Sequence, residues 1–347
     1  AVPPSPELTA AVAELSGFVE GVRGKPFLRP VEVELLADAD FERRLDEVEE
    51  EDLAELEESE RVLQALELIE ADIDLATSVE AFRSQSVIGF YDPEDKALVL
   101  RGAEVGPYVK ATLVHELTHA FDDQHFGLDR PALDEAEDES GLGFASLVEG
   151  NAERVEDAYS RQLDGEERGR AEEEARELSG DIDLSGVPPV VIELATFPYQ
   201  AGPPLVAALL AAGGEGRVDA ALREPPTTTE QVLDPATYLS GEGASTVAPP
   251  PADGEVIDDG SYGVLALLLT LDEAVSEDAL GAAVRGWAGD AYVAWDDADR
   301  TCVRASFAMD SATDVSELES ALARWAGDHA DASVSAPAGE VSVTACG

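Results

Sequence analysis

Three residues in the run HELTHA carry the clearest chemistry in the chain: His115, Glu116 and His119. Residues four apart on an α-helix lie on one face, so His115 and His119 can offer two imidazole nitrogens to a single tetrahedral metal. Glu116, between them, is placed to take a proton from a metal-activated water rather than to bind the metal. Val114, Leu117 and Phe121 fall on another face of the same helix, free to pack into a core. The chain has four histidines, and three of them (His115, His119, His125) lie within eleven residues, which makes the cluster informative.

A catalytic zinc needs a third protein ligand. One candidate is His125, because HELTHAFDDQH reproduces the histidine positions of the metzincin pattern HExxHxxGxxH. The glycine that would turn the chain back toward the metal is Asp122 here, and the single methionine, Met309, does not sit in a Met-turn-like context. The other candidate is Glu149 in LVEGNAERVE, on a separate predicted helix. Glu153 follows four residues later on the same face, where it can accept a hydrogen bond from the far nitrogen of a ligating histidine. Gly150 and Ala152 would let that helix approach the motif helix closely. Glu149 is the preferred ligand and His125 the alternative.

These helices sit in a chain with the element signals of an α+β, helix-rich protein. Residues 7 to 83 read as helical from apolar residues at three- and four-residue spacing, among them Leu53, Leu56, Val62, Leu66, Ile69 and Ile73. SVIGFYD (86 to 92) and KALVLRG (96 to 102) read as a β-hairpin. Helices are expected at 108 to 123, from 143 through LVEGNAERVEDAYSRQL, and at 165 to 178, 199 to 212 and 216 to 223. VAPPPADGEVIDDGS (247 to 261) is the most linker-like piece. Helices at 263 to 271, 276 to 287 and 315 to 327, with strands AYVAW, TCVRASF and VSVTA, suggest a terminal α/β unit. The division expected is an N-terminal helical cover (1 to 84), a catalytic core (85 to 246) and a C-terminal α/β unit (247 to 347) that can pack as one body with the core.

Charge narrows the partners. The chain of 347 residues has 75 acidic and 22 basic residues, three of the latter lysines, for a formal net charge of −53. Nucleic acid and anionic membrane surfaces are excluded as natural partners, and so dense an acidic surface points to a protein working at high ionic strength. Solvated acidic helices account for part of the excess. The acidic segment DEAEDES (134 to 140) offers carboxylates for calcium, with nothing beyond composition to support it. The best apolar runs, PPLVAALLAAG and GVLALLLTL, are about half the length a bilayer needs, so no membrane insertion is expected. The opening AVPPSPEL, without methionine, reads as the start of a processed chain. Cys302 and Cys346 are expected to form one disulfide that ties down the last strand, which favours an extracellular or cell-surface location; two unpaired thiols are the alternative.

With these residues assembled, HELTHA followed by EGNA resembles the gluzincin clan. More closely, the series GFYDPEDKALVLRG, VHELTHAFDDQHFGL, SLVEGNA, FPYQAG, PPTTTEQVLDPATY and GWAGD is similar to a family of mostly uncharacterised neutral zinc metallopeptidases, over about residues 86 to 295. The resemblance implies a zincin-like core with its active-site helix beside a small antiparallel sheet. It also implies one Zn2+ on His115, His119 and Glu149, and Glu116 as general base. FPYQAG is similar to the segment in which the aminopeptidase branch places its transition-state tyrosine, which implies that role for Tyr199. The family often has histidine where LDPATY has Asp234, so that segment carries no role here.

The function expected is hydrolysis of peptide bonds in a peptide or protein substrate, with the hairpin offering an edge strand to an extended chain. The competing readings are a non-catalytic protein of the same fold, in which the three ligands would not converge, and a zinc hydrolase acting on a non-peptide substrate.

Overall fold

A computed structural model describes residues 5–48, 53–102, 105–134, 136, 138–179, 184–298 and 300–347. It is helix-rich with two small sheets, a mixed α+β architecture.

The motif helix, Pro107–Phe126, starts with proline at its first position, where the missing N–H has no helical partner to lose, and ends at Gly127 with φ +71. Its apolar face behaves as the sequence requires. Val114, Leu117 and Phe121 are fully buried and share one core with Leu8, Leu15 and Val19 of the first helix (Pro6–Arg23) and Leu98 and Leu100 of the hairpin. That shared core fixes the motif helix against the smaller sheet.

The hairpin strands Gly89–Asp92 and Ala97–Arg101 pair antiparallel as expected. A third strand, Glu32–Leu36, joins them parallel to Ala97–Arg101, so the order runs 32–36, 97–101, 89–92. This corrects the reading of residues 7 to 83 as uniformly helical. VEVELL alternates β-branched and acidic residues, which suits a half-buried strand better than a helix. The sheet therefore crosses the boundary expected at residue 84, and the N-terminal segment is part of the body that carries the motif helix.

Two further helices complete the frame of the site: Ser140–Ser160, which carries Glu149, and Pro189–Gly213, which carries Tyr199. They pack through Phe144, Leu147, Val148, Phe197, Leu205, Val206 and Leu209. The second begins ten residues before its expected start and runs through Pro198, Pro203 and Pro204. Tyr199 thus lies inside a helix rather than at its start.

The C-terminal region forms a five-stranded antiparallel sheet ordered 255–260, 287–297, 300–309, 341–346, 333–335. Its first strand, Glu255–Gly260, lies within the piece that composition marks as a linker. Helices Gly263–Leu271, Glu277–Val284 and Ala312–Asp328 belong to the same unit. Ala65 and Leu66, from the N-terminal region, complete its core. Cys302 and Cys346 face each other in register and are disulfide-bonded, tying the Val341–Cys346 strand to its neighbour. No helix among the described residues is long and apolar enough to cross a membrane.

Candidate active site

Two helices bring three donor atoms to one point. One ring nitrogen each of His115 and His119 and one carboxylate oxygen of Glu149 all lie within 4.8 Å of one another. Glu149 Oε2 is 3.1 Å from His115 Nε2 and 3.4 Å from His119 Nε2. Both imidazoles are buried, their rings meeting edge to face with centroids 4.7 Å apart.

Glu116 is buried beside them, and its Oε2 is shut off from solvent without a hydrogen-bond partner. The backbone of Tyr91, on the edge strand Gly89–Asp92, lies close enough to the Glu116 carboxylate to favour its charged form. So the hairpin lies at the site, and its outer strand reaches the residue between the two histidines. Two imidazole nitrogens and one carboxylate oxygen, with an unpartnered carboxylate oxygen alongside, form a donor set of the kind that suits zinc with an open position.

The electrostatics follow from this crowding. Burial opposes the charge on Glu149, but His119 and His115 outweigh it and hold its carboxyl well below the usual range. Burial opposes protonation of His115 as well, and hydrogen bonding to Glu149 and Glu156 overrides it, leaving the imidazole well above its ordinary value. Glu116 is pushed up chiefly by burial, against the pull of the two histidines.

Tyr199 leans over the site with its ring nearly parallel to that of His115, centroids 6.3 Å apart, while 45 % of the residue stays open to solvent. The Glu149 charge together with burial keeps its phenol protonated well above the ordinary tyrosine range. It is therefore a hydrogen-bond donor at the mouth of the site.

Two sequence expectations need correction. His125 is not brought to the cluster: its Nε2 lies 3.0 Å from the Pro26 carbonyl oxygen and its ring packs on Phe121. The helix continues straight through His125, and six residues of α-helix rotate a side chain about 120° away from His119. Nor does Glu153 take the far nitrogen of His115. That contact belongs to Glu156, whose Oε2 is 3.1 Å from His115 Nδ1. Seven residues return a helix to within about 20° of its starting direction, whereas four leave it about 40° off on the other side. Glu153 stands nearby, within 4.8 Å of His115 and Glu156, its carboxyl raised by burial and by the Glu156 charge.

The support beneath the site was not visible in the motifs. Asp122, at the position where a metzincin would have glycine, is fully buried and accepts hydrogen bonds from Arg23 Nη2 (2.8 Å) and Asn151 Nδ2 (2.5 Å). Arg154 donates to Asn151 and to Glu215, and Arg23 also pairs with Glu215 and Asp219. Asp123, the next residue, accepts from the Tyr91 hydroxyl at 2.8 Å and from Lys96 at 3.0 Å. The two aspartates thus clamp the motif helix, one to the Glu149 helix and the other to the hairpin.

Gly150 does not face the motif helix. It meets Gly202 of the Pro189–Gly213 helix, where an added Cβ would come within 2.2 Å of the Gly202 backbone.

Of the acidic segment 134 to 140, Glu135, Glu137 and the Asp134 side chain lie outside the described residues. Asp138 accepts from the Ser140 amide, and Glu139 accepts from the Thr229 amide and hydroxyl.

No family model matches the chain, and no curated protein does. Among solved structures, a protein of Chloroflexus aurantiacus described as "a putative hydrolase with a novel fold" aligns with 67% of this chain and 88% of its own, at 17% identity and a TM-score of 0.41. At that level of similarity, neither fold nor activity carries over from one to the other.

Proposed function

We propose that the protein is a zinc-dependent peptidase of the gluzincin type, in which His115, His119 and Glu149 hold the ion and Glu116 is the general base. One observation carries this reading: the donor atoms of those three residues converge from two separate helices, with the unpartnered Glu116 Oε2 buried beside them.

When bound, zinc supplies Lewis acidity to a water and to a substrate carbonyl. The residues of the chain do the rest. Glu116 takes the proton of the attacking water and passes it to the nitrogen of the departing amine. The Tyr199 phenol donates to the carbonyl oxygen as charge gathers there. The edge strand Gly89–Asp92 offers backbone groups beside Glu116, along which an extended peptide can align in one register. The Cys302–Cys346 disulfide supports an oxidising location such as the cell surface or the medium.

The test pairs metal analysis with peptide cleavage for the wild type and Glu116→Gln, at high salt because of the net charge of −53. Glu116→Gln is expected to retain zinc and lose about 10²–10⁴-fold in cleavage rate. A folded wild type that takes up no zinc would overturn the proposal.

A further inference from the structure

We infer that Glu156 is the positioning residue of the metal centre: with the ion bound it would accept the His115 Nδ1 proton and hold the ring so that Nε2, freed of its own proton, faces the place where Glu149 and His119 meet. The inference rests on the zinc reading above and deepens it.

A neutral imidazole carries one proton on one of two nitrogens, and only the bare nitrogen can bind a metal. Which one is bare depends on where the proton finds an acceptor. His115 Nε2 faces Glu149 Oε2 at 3.1 Å, while Nδ1 faces Glu156 Oε2 at 3.1 Å. The ring is therefore held from both sides by carboxylates two helical turns apart on one helix. Glu149 is the carboxylate that also reaches His119, at 3.4 Å; Glu156 reaches only the far side of His115. This division of labour leaves Glu156 to fix the ring's orientation and proton position. Val155, next to Glu156, is fully buried in the core that contains Val114 and Leu117, so the backbone presenting Glu156 is anchored to the motif helix itself. Glu153, although close, does not make this contact and is not required for it.

The experiment measures the zinc dissociation constant by competition with a chromophoric chelator for the wild type, Glu156→Ala, Glu156→Gln and Glu153→Ala. Long-range 1H–15N NMR reads the His115 tautomer of the zinc-loaded proteins, and melting of the zinc-free proteins reports on folding. Glu156→Ala is expected to weaken zinc binding about 10–100-fold with the zinc-free melting temperature little changed. Glu156→Gln, whose amide oxygen can still accept from Nδ1, should keep the tautomer and lose less; Glu153→Ala should shift affinity by less than about threefold. A folded Glu156→Ala with wild-type affinity, or a Glu153→Ala loss equal to that of Glu156→Ala, would overturn the inference while leaving the zinc reading standing. If Glu156→Ala does not fold, Glu156→Gln decides, and wild-type affinity with an altered tautomer overturns the inference. A wild type that binds no zinc removes both readings together.

Discussion

Gly150 and Gly202 meet where the Glu149 helix crosses the Tyr199 helix, so closely that a Cβ on Gly202 would stand 2.0 Å from the Ser146 carbonyl oxygen and 2.8 Å from the Gly150 Cα. Glu149 is the neighbour of one glycine and Tyr199 lies one turn before the other. The crossing therefore sets how far the phenol stands from the carboxylate. Gly202→Ala is expected to push the helices apart, costing about 1–3 kcal/mol in urea unfolding and lowering cleavage as Tyr199 withdraws. Unchanged stability would show that the close approach is not needed.

Tyr199 itself can be separated from the fold. The residue is 45 % exposed, and Tyr199→Phe removes only its hydroxyl, so stability should be nearly unchanged. If the phenol donates to the developing oxyanion, kcat falls about 10²–10³-fold with KM and zinc content little altered. A rise in KM alone would instead assign Tyr199 to substrate binding.

Asp122 joins Arg23 of the first helix to Asn151 of the Glu149 helix from inside the motif helix. Both Arg23 and Asp122 have fully buried side chains. Asp122→Ala removes one of three carboxylates around the buried guanidinium and leaves the Asn151 amide without its acceptor, and should destabilise the fold by about 1–3 kcal/mol. Because the same carboxylate links the two metal-binding helices, zinc affinity should drop in the variant even below its melting temperature. Calorimetric melting and chelator competition on one preparation check both parts.

The motif helix was legible because four-residue spacing of histidines and an apolar opposite face are local properties of one helix. The strand Glu32–Leu36 was not, because its partner Ala97–Arg101 lies some sixty residues on and its neighbours in sequence are acidic and helix-like. The Tyr199 helix starts ten residues before its expected start, with Pro189 at the first helical position, where proline is tolerated. Glu156 was hidden by abundance. With 75 acidic residues, a carboxylate seven positions after Glu149 has no distinguishing mark until the fold sets it against His115. Asp122 reads only as a departure from a foreign pattern, and its pairing with Arg23 spans 99 residues.

Glu139, just before the Glu149 helix, gives a pH dependence that can be isolated from the rest of this acidic chain. Burial raises its carboxyl to about 7, against the two hydrogen bonds from Thr229 and with help from the charges of Asp290 and Asp138. A carboxyl whose folded pKa exceeds its unfolded value binds more protons when folded. Its contribution is present below the unfolded pKa of 4.5 and declines as pH rises to about 7, by up to about 3 kcal/mol. General repulsion among the other carboxylates also weakens the fold as pH rises, so the wild-type curve alone does not identify Glu139. Glu139→Gln mimics the protonated acid: its oxygen can accept from the Thr229 amide and its NH2 can donate to the Thr229 hydroxyl. Urea unfolding of both proteins from pH 5 to 8 should show similar stability at the acid end and a widening advantage for Glu139→Gln up to about pH 7. Parallel curves across that range would mean that Glu139 does not change protonation there.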